Sequence, residues 1–143
     1  MWKDSWEIDQ IQQAVNLTAT CFEKVIASLP EAVHHPRGER VAEVAFSAAA
    51  RLGDHGTGFD TIAAAGSHAT TMHYMENAGP IAPDDLLLID AGAEIDSLYS
   101  GDITRTFPVS GTFSPTQRKV YEAVLGANEA AFKQAQQLSL IHI

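Results

Sequence analysis

The stretch LLLIDAGAEIDSLYSGDITRTFP, residues 86–108, carries the pattern that decides the fold. Four apolar residues, 86–89, run directly into Asp90, and a second acid, Asp102, stands twelve positions later before another strand-like run. A chain that folds back symmetrically about Asp96 would place Asp90 directly opposite Asp102 on one face of an antiparallel pair. The stretch therefore predicts a hairpin with two facing carboxylates.

Two facing carboxylates need a positive partner. Their Cβ atoms would lie roughly 4.5–5.5 Å apart, where like charges destabilise a sheet. A divalent cation removes the repulsion, and two-metal hydrolases hold their cations about 3.5–4 Å apart. The small residues 91–93 are expected to leave room beside such a site. Spacing alone leaves an alternative open: Asp96 and Ser97 form an ordinary turn, and both acids are solvated edge charges.

The segments around the hairpin predict an α+β chain, because helices and strands do not alternate. Asp4 with Glu7, and Ser114 with Gln117, have the spacing of helix-capping boxes. Pro30 is expected to end the first helix. The predicted elements are helices at 5–28, 38–52 and from 115 onward, and strands at 61–65, 86–93 and about 98–108. The second helix is expected to face inward with Val41, Val44, Ala45, Ala48 and Leu52.

Composition narrows the class of protein. The chain has 143 residues and a net charge of −9, which argues against a nucleic-acid partner. The first residues are too charged for a signal peptide, and no apolar run approaches the ~20 residues that span a membrane. The single cysteine, Cys21, cannot form an internal disulfide and is expected to be a buried apolar residue. These features predict a cytoplasmic protein.

Three motifs together resemble a known family. They are MHYMENAGPI at 72–81, the hairpin stretch at 86–108, and GTFSPTQRKVYEAVL at 111–125. They resemble the M24 metallopeptidases of pita-bread fold, in the Xaa-Pro branch of aminopeptidase P and prolidase. The resemblance covers about residues 4–135 and implies the first half of the catalytic domain: two helices, antiparallel strands with a metal-binding hairpin, and a further helix.

The resemblance assigns roles to individual residues. Asp90 and Asp102 match metal ligands, Asp90 of one ion and Asp102 as a bridge between both. His73 matches a catalytic histidine that contacts the substrate without binding metal, and Thr104 a hydrogen-bond partner of a carboxylate ligand. The implied cofactor is two divalent ions, with manganese expected. The implied substrate is a peptide with proline at its second position, cleaved by a protein that is a homo-oligomer when full length.

The chain also departs from the family pattern. The two aspartates lie twelve positions apart where eleven is usual, and a longer turn is expected to absorb the extra residue. The family completes its site with a histidine and two glutamates, and nothing after Asp102 offers that set. Residues 1–138 are therefore expected to be the N-terminal part of a catalytic domain, inactive by itself. Residues 139–143, which include His142, match no family pattern and are of doubtful origin.

Several alternatives stay open at this stage. A methionine aminopeptidase usually has glycine after the first histidine, where this chain has Tyr74. A non-enzymatic pita-bread module that binds proteins tends to lose one or both aspartates, and this chain keeps Asp90 and Asp102. Aminopeptidase and dipeptidase activity are not separated. His68 is either a turn residue or a residue that lines the pocket.

Overall fold

The computed structural model describes residues 2–134, and it confirms the α+β class. The helices are α1 (Ser5–Ala32), α2 (Gly38–Gly53) and α3 (Pro115–Gln134), with a short 3₁₀ helix at Gly66–Thr70. The strands are β1 (Gly56–Thr57), β2 (Ile62–Ala65), β3 (Leu86–Ala91), β4 (Ala93–Glu94) and β5 (Ile103–Pro108). Among residues 2–134, no helix combines the length and apolar character needed to cross a membrane.

Helix α1 begins where the capping residues predict. The Asp4 carboxylate accepts from the Glu7 backbone N–H at 2.8 Å, and the Glu7 carboxylate accepts from the Asp4 N–H at 2.9 Å. The expectation that Pro30 ends the helix is wrong, because α1 continues to Ala32. A proline in the last turn removes a single backbone hydrogen bond. The fully buried Ala32 holds that turn against the core.

Helix α2 has the predicted bounds to within one residue but not the predicted face. Val44 is 53% exposed and Leu52 is 89% exposed, so the expected inward face is wrong at these positions, whereas Val41 packs against the core as expected. The face that packs inward carries Phe46, whose ring meets Phe22 of α1 edge-on with centroids 5.6 Å apart. The large Phe46 side chain therefore decides the rotation of the helix. The buried residues of α2 are Gly38, Glu39, Ala42, Phe46 and Ala50.

Two small antiparallel sheets pack with α1 and α2. One has the strand order β2-β3-β5, and the other pairs β1 with β4. Leu87, Ile89 and Ala91 of β3 are fully buried in the core cluster, which includes residues of both helices. Their neighbours in sequence, Leu88 and Asp90, are only half-buried, because successive side chains point to opposite faces. The helix-covered face of β3 makes the core, and the other face carries Asp90.

The register of β3 with β5 differs from the predicted one. Asp90 pairs with Thr104, so the expectation that Asp90 lies directly opposite Asp102 is wrong by two residues. The reason lies in the turn, where the Ile95 N–H donates to the Tyr99 carbonyl at 3.1 Å. The loop thus has three residues, 96–98, and is centred on Ser97. Leu98 adopts a φ of 66°, the left-handed conformation that such a loop requires.

The small residues 91–93 do not leave room beside the site, so that expectation is wrong as well. A Cβ atom added to Gly92 would clash with the backbone carbonyl of Gly101. A Cβ atom added to Gly101 would in turn clash with the Thr18 hydroxyl of α1. The same hydroxyl accepts from the Ala93 N–H at 3.0 Å. These glycines allow two chain segments and α1 to approach closely, and no space remains.

The chain divides into two compact units after Gly111. The second unit contains α3, which begins with the predicted capping box. The Gln117 side chain accepts from the Ser114 N–H at 2.8 Å, and the Ser114 hydroxyl accepts from the Gln117 N–H at 3.3 Å. The doubtful tail at 139–143, with His142, lies outside the described residues.

Candidate active site

Asp90 is fixed by its strand partner. The Thr104 hydroxyl donates to Asp90 Oδ1 at 2.8 Å across the β3–β5 pair. The expected hydrogen bond between Thr104 and one of the two carboxylates is therefore present. Metal-binding carboxylates generally need such a partner, which holds their orientation. One oxygen of Asp90 is engaged in this way, and the carboxylate keeps further acceptor capacity.

Asp102 is not the residue paired with Asp90 across the two strands. It precedes Thr104 by two residues and is exposed. Since side chains alternate with a period of two, a slip of two residues keeps Asp102 on the face of Asp90. Such diagonal neighbours lie roughly 7–8 Å apart. The register error therefore changes the predicted spacing of the two carboxylates but leaves them on one face.

The two carboxylates fit part of a metal site. Carboxylate oxygens are the ligands that hard divalent cations prefer. Within residues 2–134, however, no group of three or more histidine, cysteine, aspartate or glutamate side chains could hold a metal ion. Asp90 and Asp102 are thus two donors of a set that other ligands would have to complete.

His73 lies beside the same cleft as Asp90. The cleft has a volume of about 230 Å³, and Thr104 also lines it. Asp102 is not among its described lining residues. His73 is exposed, with a φ of 53°, and its ring makes no hydrogen bond or ion pair within the described part of the chain. The full lining is Ile62, Ala64, Ala69, Thr70, Thr71, Met72, His73, Leu88, Asp90 and Thr104.

The segment 71–80 that carries His73, here called the His73 loop, is tied to the edge of strand β2. The Asn77 side chain accepts from the Ala63 N–H at 2.8 Å and donates to the Thr61 carbonyl at 2.8 Å. The buried Asn77 side chain thus makes the hydrogen bonds that a paired strand would make at this edge of β2. The Arg40 guanidinium also donates to the Glu76 carbonyl. Side chains therefore replace the backbone pairing that this loop lacks.

Glu39 is the main feature that the sequence reading missed. Its side chain is 0% exposed and accepts four hydrogen bonds. Burial alone would raise the pKa of Glu39, but the bonds from Ala65, His68, Gly79 and Tyr74 outweigh it and lower the pKa below its ordinary value. The sequence contains one indication of this position. Glu39 precedes Phe46 by seven residues, which places both on one helical face.

His68 and Tyr74 face Glu39 rather than the cleft. His68 Nδ1 lies 2.8 Å from Glu39 Oε1, and the Tyr74 hydroxyl donates to Glu39 Oε2 at 2.9 Å. Since Glu39 is ionised, Nδ1 of His68 carries the proton. The two rings stack with centroids 4.5 Å apart. His68 is not among the described residues that line the cleft, and its ring contacts Glu39 and Tyr74 instead.

The sequence matches the profile of metallopeptidase family M24 over residues 9–139. Xaa-Pro aminopeptidase 2 of Streptomyces coelicolor is 50% identical over 128 residues, which are 90% of this chain and 27% of that protein. Xaa-Pro aminopeptidase 1 of the same organism is 44% identical over 90% of this chain and 26% of its own length. The chain thus spans about a quarter of the length of these relatives.

Solved structures of aminopeptidase P have the same fold. A histidine-to-alanine variant of the Escherichia coli protein matches with a TM-score of 0.82 and 32% identity, covering 94% of this chain and 30% of that one. A zinc-substituted Escherichia coli aminopeptidase P in complex with product gives the same values. Aminopeptidase PepP of Pseudomonas aeruginosa matches with a TM-score of 0.79 and 40% identity, over 92% of this chain and 29% of its own.

Proposed function

Because the chain belongs to metallopeptidase family M24, we propose that the full-length protein is an Xaa-Pro aminopeptidase. It hydrolyses the bond between an N-terminal residue and a following proline. The observation that carries the proposal is the cleft in which Asp90, held by Thr104, and His73 lie together. The names and identities of the Streptomyces coelicolor relatives support this branch of the family over methionine aminopeptidase.

Asp90 and Asp102 are the metal ligands in this proposal, and they bind two divalent ions together with ligands beyond the described residues. Hard oxygen donors favour manganese over a metal that prefers thiolates. When bound, the ions lower the pKa of a water molecule and polarise the scissile carbonyl. Thr104 keeps the Asp90 carboxylate in one orientation, so that its remaining lone pairs point in a fixed direction.

His73 contacts the peptide substrate. Its ring is exposed at the cleft and has no hydrogen-bond partner among residues 2–134, so both nitrogens are available to a substrate. A ring that orients the peptide or donates to its carbonyl acts on the transition state and not on metal affinity. His73 is accordingly a catalytic residue that stands outside the coordination shell.

The rival class is a protein-binding module that has lost catalysis. Such a module has no need of two acids on one sheet face or of a hydroxyl that orients one of them. The pair Asp90 and Thr104, with Asp102 on the same face, therefore favours the enzyme. The 143-residue chain alone is expected to be inactive, because two carboxylates supply only a few of the ligands that two cations require.

A cytoplasmic location and a homo-oligomeric state complete the proposal for the full-length protein. The location is supported by Cys21, the single cysteine of the sequence, because a lone thiol cannot form an internal disulfide. Cys21 is fully buried in α1. Burial raises the pKa of the Cys21 thiol to about 11, so it is an unreactive core residue. Light scattering of the full-length protein tests the oligomeric state.

The decisive assay uses the full-length protein that contains this chain. Hydrolysis of Xaa-Pro-Xaa peptides is compared with that of the matched Xaa-Ala-Xaa peptides, before chelation, after chelation and after addition of manganese. The proposal expects cleavage before proline that chelation removes and manganese restores. A free Xaa-Pro dipeptide separates aminopeptidase from dipeptidase activity. Equal cleavage before alanine, or activity that survives chelation, would contradict the proposal.

A further inference from the structure

The His73 loop contains two residues with a left-handed backbone conformation. His73 has a φ of 53° and Asn77 a φ of 45°, both in the left-handed region. No residue from 71 to 80 lies in a strand. Such conformations persist when surrounding contacts enforce them, and they are frequent where function requires a fixed geometry. The conformation of His73 is therefore expected to depend on contacts around the loop.

Each oxygen of Glu39 serves a different segment. Oε1 accepts from the Ala65 N–H at the end of β2 and from His68, both at 2.8 Å. Oε2 accepts from the Tyr74 hydroxyl at 2.9 Å and from the Gly79 N–H at 2.6 Å. One carboxylate thus joins the segment that enters the His73 loop to the loop itself.

The four hydrogen bonds that the Glu39 carboxylate accepts are rigid for an energetic reason. Burial of an ionised carboxylate removes its hydration, which is strongly unfavourable unless its lone pairs accept hydrogen bonds. The four donors provide that satisfaction, and charge-assisted bonds are about twice as strong as neutral ones. The loss of any one donor leaves a buried charge less well compensated. The four donor groups are therefore held in one arrangement.

His73 lies between two of these donors. His68 precedes it by five residues and Tyr74 follows it directly, and their rings stack on each other. The backbone of His73 is consequently constrained from both sides by groups that share Glu39. The His73 ring itself remains exposed at the cleft that Asp90 lines.

We propose that Glu39, acting through His68 and Tyr74, is a positioning residue that holds the His73 ring at the candidate active site. The proposal rests on the function proposed above, in which His73 contacts the peptide substrate. Glu39 itself does not touch the substrate. Its effect on the reaction passes through the conformation of the His73 loop.

The chain offers a matched pair of variants for the test. In Tyr74→Phe the ring and its stacking on His68 are kept, and only the hydroxyl that donates to Glu39 is removed. In Tyr99→Phe a hydroxyl that donates to Glu7, also at 2.9 Å, is removed while the ring contact with Trp6 is kept. The two changes are chemically identical, and only the first touches the Glu39 cluster. Both are milder than removal of the buried carboxylate.

The first measurement is a double-mutant cycle with His73→Ala in the full-length protein. Tyr74→Phe is expected to lower kcat for Xaa-Pro-Xaa peptides by about tenfold, because displacement of a catalytic group by a fraction of an ångström is costly. In the His73→Ala background the same change is expected to lower kcat less than about twofold. Tyr99→Phe should leave kcat unchanged in both backgrounds. An equal loss from Tyr74→Phe with and without His73 would overturn the proposal.

The second measurement does not depend on activity. The NMR signal of the His73 ring, assigned by its loss in His73→Ala, is compared between wild type and the two tyrosine variants. A shifted or broadened His73 signal in Tyr74→Phe alone supports positioning. If Xaa-Pro peptides are not cleaved but the signal changes, the positioning holds and the proposed function fails. If cleavage occurs and neither kcat nor the signal responds to Tyr74→Phe, the positioning role is wrong.

Discussion

Asp90 and His73 line the same cleft but are held there by different means. Asp90 belongs to the central strand of a three-stranded sheet, paired with Ile62 on one side and Thr104 on the other. His73 lies in a loop whose shape depends on side-chain contacts, above all those of the buried Glu39. Regular backbone pairing holds Asp90 in place, whereas a few side-chain contacts, including those of Glu39 and Asn77, hold the loop of His73.

This difference predicts how each residue responds to mutation. Backbone pairing does not depend on the side chains of the strand, so the Asp90 side chain can be changed while its position survives. The position of His73 depends on a few side chains, so a distant change can displace it while the sheet remains intact. Variants of the two residues and of their hydrogen-bond partners separate these two kinds of dependence.

Asp90→Asn removes the charge that the proposed metal ion needs and keeps the shape of the side chain. We expect kcat/KM for Xaa-Pro-Xaa peptides to fall by more than about 10³-fold, because metal catalysis supplies several kcal/mol. Circular dichroism should show an unchanged fold. The control is Asp96→Asn in the exposed hairpin turn, which should retain activity. Full activity of Asp90→Asn would contradict the role of this carboxylate.

Glu39→Gln replaces a buried charge that has four donors. At pH 7 we expect a loss of stability of about 3 kcal/mol, because the amide accepts fewer hydrogen bonds and introduces a donor. Differential scanning calorimetry of the full-length protein measures the change in Tm. The matched control is Glu43→Gln on the same helix, where the carboxylate makes an ion pair with the partly exposed Arg40 and should matter less.

The difference in stability between wild type and Glu39→Gln is also expected to depend on pH. The folded-state pKa of Glu39 lies below its unfolded value of about 4.5. The stabilisation is therefore present above pH ~4.5 and is lost as the pH falls through the lower folded-state pKa. The Tm difference between wild type and Glu39→Gln should narrow in acid. A difference that stays constant from pH 7 down to acid unfolding would show that the Glu39 charge is not responsible.

His73→Ala leaves the proposed metal ligands and the Glu39 cluster in place. We expect kcat to fall by about a hundredfold, the usual cost of losing one group that stabilises the transition state. The metal content, measured by elemental analysis, should equal that of the wild type. A variant that loses one equivalent of metal would make His73 a ligand and would refute its assignment to the substrate.

Thr104→Val removes the hydroxyl that holds Asp90 and keeps the branched shape that suits a strand. We expect metal affinity to weaken by about tenfold, as is typical for the loss of a partner that orients a ligand. Competition with a fluorescent chelator measures the affinity. Thr106→Val, two residues further along the same strand, is the control. Identical affinities in the two variants would show that Thr104 does not serve the metal.

The difference between local and long-range contacts also explains which features of the structure could be predicted from the sequence. The capping boxes at Asp4 and Ser114 are read correctly because each depends on residues three positions apart. The hairpin register was misjudged because Leu98 adopts a conformation that glycine or asparagine usually takes. The error changes the expected spacing of the two carboxylates but not the expected face, because side chains alternate with a period of two.

The spacing to Phe46 could place Glu39 on the buried face of α2, but its hydrogen-bond donors could not be identified from local patterns, since they lie 26 to 40 residues further along the chain. A glutamate in the first turn of a helix normally faces solvent near the positive end of the helix dipole. The rotation of α2 follows from the packing of Phe46 on Phe22, and the apolar residues of α2 alone suggested another face. Packing between residues far apart in the sequence therefore determines the position of Glu39.

The most direct test of the account is the metal content of Asp102→Asn in the full-length protein. Protein stripped by chelation is loaded with manganese, dialysed and analysed, with Asp96→Asn as the matched control. We expect two equivalents for the wild type and for Asp96→Asn. For Asp102→Asn we expect the loss of at least one equivalent, together with all Xaa-Pro hydrolysis. Two retained equivalents and wild-type turnover in Asp102→Asn would contradict the assignment of the hairpin carboxylates as metal ligands.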